Sequence, residues 1–109
     1  MIIYVDIDDT ICYYKDGNQG NYTLALPWPD KIETINQLYA QGHHITYWTA
    51  RGTITGIDWF PLTKQQLHKW GCKYHALKMN KPGFDLFIDD KAITSITQIA
   101  KVLKDIAHS

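Results

Sequence analysis

The chain has 109 residues, 45% of them hydrophobic, and its 11 lysines and arginines balance its 11 aspartates and glutamates. That length allows one domain with a genuine core and leaves no room for a second. The even charge gives no basic footprint for nucleic acid, and no apolar run approaches the roughly 20 residues that span a membrane.

The sequence opens with Ile2-Ile3-Tyr4-Val5-Asp6-Ile7-Asp8-Asp9-Thr10, a β-branched run that stops at three carboxylates within four positions and is closed by a hydroxyl. Such a run reads as a buried strand whose acidic end lies where open α/β sheets bind ligands. Carboxylates crowded at one strand end repel each other unless a cation joins them or one stays protonated. A divalent metal is the economical solution. The segment from Ile11 to Pro29 has no sustained periodicity but carries Tyr13, Tyr14, Gly17, Gly20, Tyr22, Pro27 and Trp28. A short hairpin turning at Lys15-Asp16-Gly17-Asn18 fits it, either as a packed surface loop or as a flap over the acidic site.

Pro29-Asp30 opens a helix with Ile32, Ile35, Leu38 and Tyr39 at helical spacing and Gly42 as its C-terminal cap. His43 to Thr49 alternates as a second strand and runs into Ala50-Arg51-Gly52. A second helix, starting at Asp58 or Pro61, reaches Trp70 and stops at Gly71; Asp58 is its expected cap, and Trp59 and Trp70 are expected in the core. Cys72 to Leu77 reads as a third strand, followed by the loop Lys78-Met79-Asn80-Lys81-Pro82-Gly83. Asp85 to Ile88 is a fourth strand ending in Asp89-Asp90, and a last helix starts near Ser95 with Ile96, Ile99, Ala100, Leu103, Ile106 and Ala107 on one face. Helical crossovers between strands predict a mostly parallel four-stranded sheet in a single α/β domain.

Parallel strands present their C-terminal ends to one side, so Asp6 with Asp8, Thr49 with Arg51, the lysine loop, and Asp89 with Asp90 are expected to converge. Carboxylates from two strands suit Mg2+, a hard ion that keeps waters for a phosphate to replace. A hydroxyl and an ammonium are what that phosphate would require next. With its repulsion from the phosphate lowered, Asp6 can attack phosphorus and form an aspartyl phosphate. Asp8 can protonate the leaving alcohol and then activate water. Lys78 and Lys81 both qualify as the phosphate-binding lysine, with Lys81 preferred beside the rigid Pro82. Arg51 either grips a second anionic group or lies in solvent. The histidines at 43, 44, 68 and 75 lack a metal-ligand pattern, and Asp9 reads as turn chemistry.

Asp6-Ile7-Asp8-Asp9-Thr10 after an apolar strand resembles the DxDxT signature of haloacid dehalogenase-like phosphatases, and the other motifs follow in order over nearly the whole chain. The resemblance implies a three-layer Rossmann-like domain with helices on both faces. It assigns Asp6 as nucleophile, Asp8 as general acid and base, Thr49 and Lys81 as phosphate ligands, and Asp89 as a Mg2+ ligand. Asp8 would add its backbone carbonyl to the metal, and Asp90 a secondary or water-mediated contact. The chain lacks room for the family's usual cap domain. Capless members act on larger phosphorylated partners or complete the wall from neighbours in a homo-oligomer, so small and large phosphorylated substrates both stay open. The run from Lys81 to Ala92 is also similar to small phosphatase-like proteins of bacterial capsule or sugar biosynthesis.

Two other functions compete with this reading. A receiver domain needs its phosphoacceptor aspartate on a middle strand, where this chain has Thr49. A catalytically idle metal- or phosphate-binding module, or a partner subunit in carbohydrate synthesis, would keep the same residues. Cys12 and Cys72 lack CxxC or zinc-type spacing, and the opening strand is unlike a leader peptide, so free thiols in the cytoplasm are expected.

Overall fold

A computed structural model of the chain describes residues 1–82. In order these form β1 (Ile2–Val5), β2 (Cys12–Tyr13), a 3-10 turn (Tyr22–Leu24), β3 (Leu26–Pro27), α1 (Pro29–Ala40), β4 (His44–Trp48), α2 (Phe60–Lys69) and β5 (Ala76–Lys78). The fold is α/β. β1 pairs in parallel with β4, with Ile2 opposite His44 and Val5 opposite Tyr47, and β4 pairs in parallel with β5 from Thr46 opposite Ala76 to Trp48 opposite Lys78. The sheet order is therefore β1-β4-β5. The expected fourth strand, Asp85 to Ile88, and the last helix lie outside the described residues.

The central strand explains the core. Ile45, Thr46 and Tyr47 of β4 are all buried, as a strand covered on both faces requires. α1 lays Ile32, Ile35 and Leu38 at three-residue intervals against the same core, where Val5, Ile7, Ile11 and Leu67 also meet. Burying each of these large aliphatic side chains fully contributes about 2 kcal/mol. Pro29 occupies the first turn of α1, where a missing N–H costs nothing. Both helices end in the same way: Gly42 and Gly71 adopt positive φ, and the amides after them, His43 and Cys72, return to the carbonyls of Leu38 and Leu67. The Asn36 side chain then ties α1 to the turn after α2, donating to Gly71 O at 2.9 Å and accepting from Lys73 N at 2.8 Å.

Several boundaries move relative to expectation. The opening strand stops at Val5, because beyond it the Ile7 carbonyl accepts the amides of both Thr10 and Ile11 and the chain curls. The last described strand starts at Ala76 instead of Cys72. Segment 11–29 does form a hairpin, pairing Cys12 with Pro27 and Tyr13 with Leu26. Lys15 to Asn18 is a turn within it, closed by Asn18 N on Lys15 O at 3.0 Å, but a second turn and the 3-10 turn follow before the chain returns. Trp70 packs on the core as expected. Trp59 does not belong to that core; it precedes α2 and meets the edge of Tyr22, ring centroids 5.1 Å apart. Asp58 accepts the Phe60 amide at 3.0 Å but stands one residue before the cap, which is Trp59 and makes no side-chain capping bond, so the expected cap is displaced.

Candidate functional site

The site grows from the curl after β1. Ile7 is fully buried and anchors the turn, while its neighbours Asp6 and Asp8 retain exposed carboxyl surface, 42% and 24% of their side chains. Asp9, at φ 63, carries the reversal and is exposed, in keeping with its reading as turn chemistry. The Asp6 Oδ1 accepts the Ile7 amide at 2.8 Å, and its Oδ2 lies 3.6 Å from Lys81 Nζ. Burial pushes the Asp6 carboxyl above its ordinary pKa and the nearby Asp8 charge adds to this; the Ile7 amide and Lys81 pull it back only in part.

Asp8 has the opposite environment. Arg51, the only arginine in the sequence, grips it with a two-pronged fork: Nε to Oδ2 at 3.1 Å and Nη2 to Oδ1 at 2.8 Å. Tyr14 donates its hydroxyl to Asp8 Oδ1 at 2.5 Å, and the Cys12 thiol approaches the same oxygen at 3.5 Å. Burial alone would raise the Asp8 pKa, but the hydrogen bonds and charge of Arg51, with Tyr14, outweigh it and hold the carboxyl below its usual range. The cost falls on the neighbours: burial and the Asp8 charge push the Cys12 thiol up to about 12 and raise the Tyr14 phenol well above its ordinary value.

Arg51 departs from both sequence readings. It is 1% exposed, so it neither lies in solvent nor waits for an anion. Its remaining prong, Nη1, donates to Thr63 Oγ1 at 3.2 Å and Gln66 Oε1 at 2.6 Å, and Tyr22 covers the guanidinium with its ring centroid 4.8 Å away. With Nη2 also reaching the Tyr14 hydroxyl at 3.5 Å, the fork is fully engaged inside the protein. Charge patterning does not reveal this, because the partners Thr63 and Gln66 look like ordinary positions of an amphipathic helix. Their three-residue spacing on α2, after a lone arginine, is the only trace in the sequence.

The two candidate lysines separate cleanly. Lys78 Nζ bonds the Tyr4 hydroxyl at 2.8 Å and lies over its ring, whereas Lys81 reaches Asp6. What brings Lys81 there is a lacing of the loops after β4 and β5. Thr49 N donates to Lys78 O, Lys81 N to Thr49 O, and Thr53 Oγ1 to Lys81 O, while Trp48 Nε1 holds Met79 O at 3.1 Å. Gly52 permits the turn in the first loop: at φ 82, a Cβ there would stand 2.1 Å from Ile57 O. Thr49 itself is 1% exposed, and its hydroxyl accepts the Arg51 amide at 3.1 Å, leaving its own hydrogen to donate.

Asp6, Asp8, Thr49 and Lys81 thus gather at the C-terminal edge of β1 and β4, as expected, while Asp89 and Asp90 lie outside the described residues. As a donor set for Mg2+, the Asp6 carboxylate fits: a cation would relieve the burial and repulsion that raise its pKa. The Asp8 carboxylate does not fit, since Arg51 and Tyr14 hold its oxygens; the backbone carbonyl is the donor Asp8 could give. Among the described residues no three histidine, cysteine or acidic side chains are grouped to hold a metal, and no helix is long and apolar enough to cross a membrane. His44 of β4 and His75, in the bend before β5, stack on each other, centroids 4.5 Å apart.

No protein-family profile matches the chain, and no curated protein matches it. The chain is similar to a target protein from Vibrio cholerae of known crystal structure, with 28% identity and a TM-score of 0.79 over 98% of this chain and 94% of that one. The likeness speaks for a shared fold across both chains and carries no activity with it.

Proposed function

We propose that the protein is a Mg2+-dependent phosphatase of the haloacid dehalogenase-like class, hydrolysing a phosphomonoester through an aspartyl phosphate on Asp6. The finer architecture belongs to the same proposal: a three-layer, four-stranded Rossmann-like domain without a cap, working in the cytoplasm. The observation that carries it is the pairing of Asp6 with Lys81 at a parallel-sheet edge, two residues from a second carboxylate fixed in place.

In this reading Asp6 attacks phosphorus while Lys81 and the Thr49 hydroxyl hold the phosphoryl oxygens, which offsets the repulsion between two anions. Mg2+, held by Asp6, the Asp8 carbonyl and Asp89 with Asp90 in support, would supply further charge neutralisation. Asp8 is kept ionised by Arg51, the form suited to taking a proton from the water that cleaves the aspartyl phosphate. Protonating the leaving alcohol in the first step requires it first to loosen from that fork and take up a proton from solvent. A sugar phosphate or a larger phosphorylated partner remains within the proposal, as does a homo-oligomer that completes the wall.

The test is turnover of p-nitrophenyl phosphate and a sugar-phosphate panel with Mg2+. Activity that is no higher in the wild type than in Asp6→Asn sinks the catalytic reading. The firm grip of Arg51 on Asp8 favours one alternative, a catalytically idle module that binds metal or phosphate, or a partner subunit in carbohydrate synthesis. Calorimetric Mg2+ binding without turnover of any panel member would select it.

A further inference from the structure

We propose that Gln66 is a positioning residue that locks the flap, residues 11–29, and the Asp8 carboxylate to one another through Arg51. Its catalytic consequence rests on the phosphatase reading; the lock itself does not. Gln66 is 8% exposed on the buried face of α2 and uses both ends of its amide. Oε1 accepts from Arg51 Nη1 at 2.6 Å, and Nε2 donates to the Tyr22 carbonyl at 2.6 Å. Tyr22 opens the 3-10 turn of the flap and lays its ring over the same guanidinium. A second flap residue, Tyr14, bonds Asp8 directly.

The arrangement forms a closed chain of contacts. Asp8 holds one side of the arginine fork, α2 holds the other through Thr63 and Gln66, and Gln66 also reaches across to the flap backbone. The planar amide of glutamine carries an acceptor and a donor side by side, and here each meets its partner. A carboxylate of the same shape would keep Arg51 and lose Tyr22; an aliphatic residue would lose both. Asp8 sits in this chain of contacts, so its orientation and the flap's closure are set together.

Two variants separate the two ends. Because Arg51 is the only arginine, its Nε–H gives a single guanidinium signal in 15N NMR, whose exchange with solvent reports the fork. In Gln66→Leu, exchange at Arg51 and at the amides of 20–25 is expected to quicken about tenfold, the effect of losing one buried hydrogen bond at each end. With Mg2+ and p-nitrophenyl phosphate, kcat should then fall by about tenfold or more from misplacement of Asp8. In Gln66→Glu, the flap amides should quicken while Arg51 exchange stays as in the wild type, and KM should rise by a larger factor than kcat falls. Unchanged exchange at Arg51 in the Leu variant, or at the flap in the Glu variant, overturns the lock. If the Leu variant does not fold, the Glu variant decides through its flap amides. Absence of wild-type turnover would defeat the phosphatase reading and leave the exchange measurements to judge the lock.

Discussion

Asp6 and Asp8 leave the same strand end two positions apart, yet they occupy opposite environments. Asp6 is partly open, has a lysine at arm's length and carries a raised pKa; Asp8 is tied to a buried arginine fork and a tyrosine and carries a lowered one. The difference lies in what packs behind each residue. Among the described residues, α2 and the hairpin of segment 11–29 stand behind Asp8, whereas Asp6 meets its own turn and Lys81 from the loop after β5. A carboxylate left open and electrostatically uneasy suits attack on a substrate, and one held rigidly suits orientation and proton transfer.

Replacing each acid is the sharpest way to break this contrast. Asp6→Asn is expected to remove turnover by about a thousandfold or more while leaving or improving stability without metal, since it removes a repelled charge. Asp8→Asn should instead destabilise by about 3 kcal/mol, because it strands a buried guanidinium. Urea unfolding of both variants in EDTA reads the opposite signs; equal losses of stability would erase the distinction between the two carboxylates.

Gly52→Ala tests the loop after β4, which is laced to Lys81 through Thr53. Its Cβ would collide with Ile57 O, and its φ of 82 is strained for any L side chain, so a loss of about 2 kcal/mol is expected. Thermal unfolding measures it, and a wild-type melting temperature would show that the loop yields freely.

The pH dependence of stability sharpens the contrast on a smaller scale. The folded pKa of Asp8 lies below its ordinary 3.8, so its stabilisation is complete above that value and disappears as pH falls through the depressed pKa. That of Asp6 lies above 3.8, so its folded form favours the proton, and this contribution fades as pH rises through the raised pKa. Asp8→Asn should therefore flatten the acid limb of a metal-free stability profile below the ordinary carboxylate pKa of 3.8, and Asp6→Asn should steepen it just above that value. The smallest effect concerns the thiols. Burial raises Cys12 to about 12 and Cys72 to about 11, so neither should react quickly with a thiol reagent near neutral pH, and Cys12 should react only after unfolding.

Much of the fold can be read along the chain because it rests on local signals. Pro29 opens α1, the spacing of Ile32, Ile35 and Leu38 defines its buried face, and Gly42 and Gly71 end the helices through the left-handed turns they permit. The hairpin of segment 11–29 and the strand at His44–Trp48 follow from turn residues and alternation in the same way. Convergence of Asp6, Asp8, Thr49 and Lys81 is also legible, since parallel strands share one C-terminal edge. Only the tertiary structure places Lys81 and not Lys78 beside Asp6, since the two are three residues apart and chemically identical; the lacing of loops around Thr49 and Thr53 sets that position. Only it turns Arg51 inward, because a guanidinium finds its carboxylate by distance in space, and Asp8, Tyr14, Tyr22, Thr63 and Gln66 reach it from four separate segments. The sequence determined that acids would gather at a strand's end. Packing decided which would stay open and which would be held.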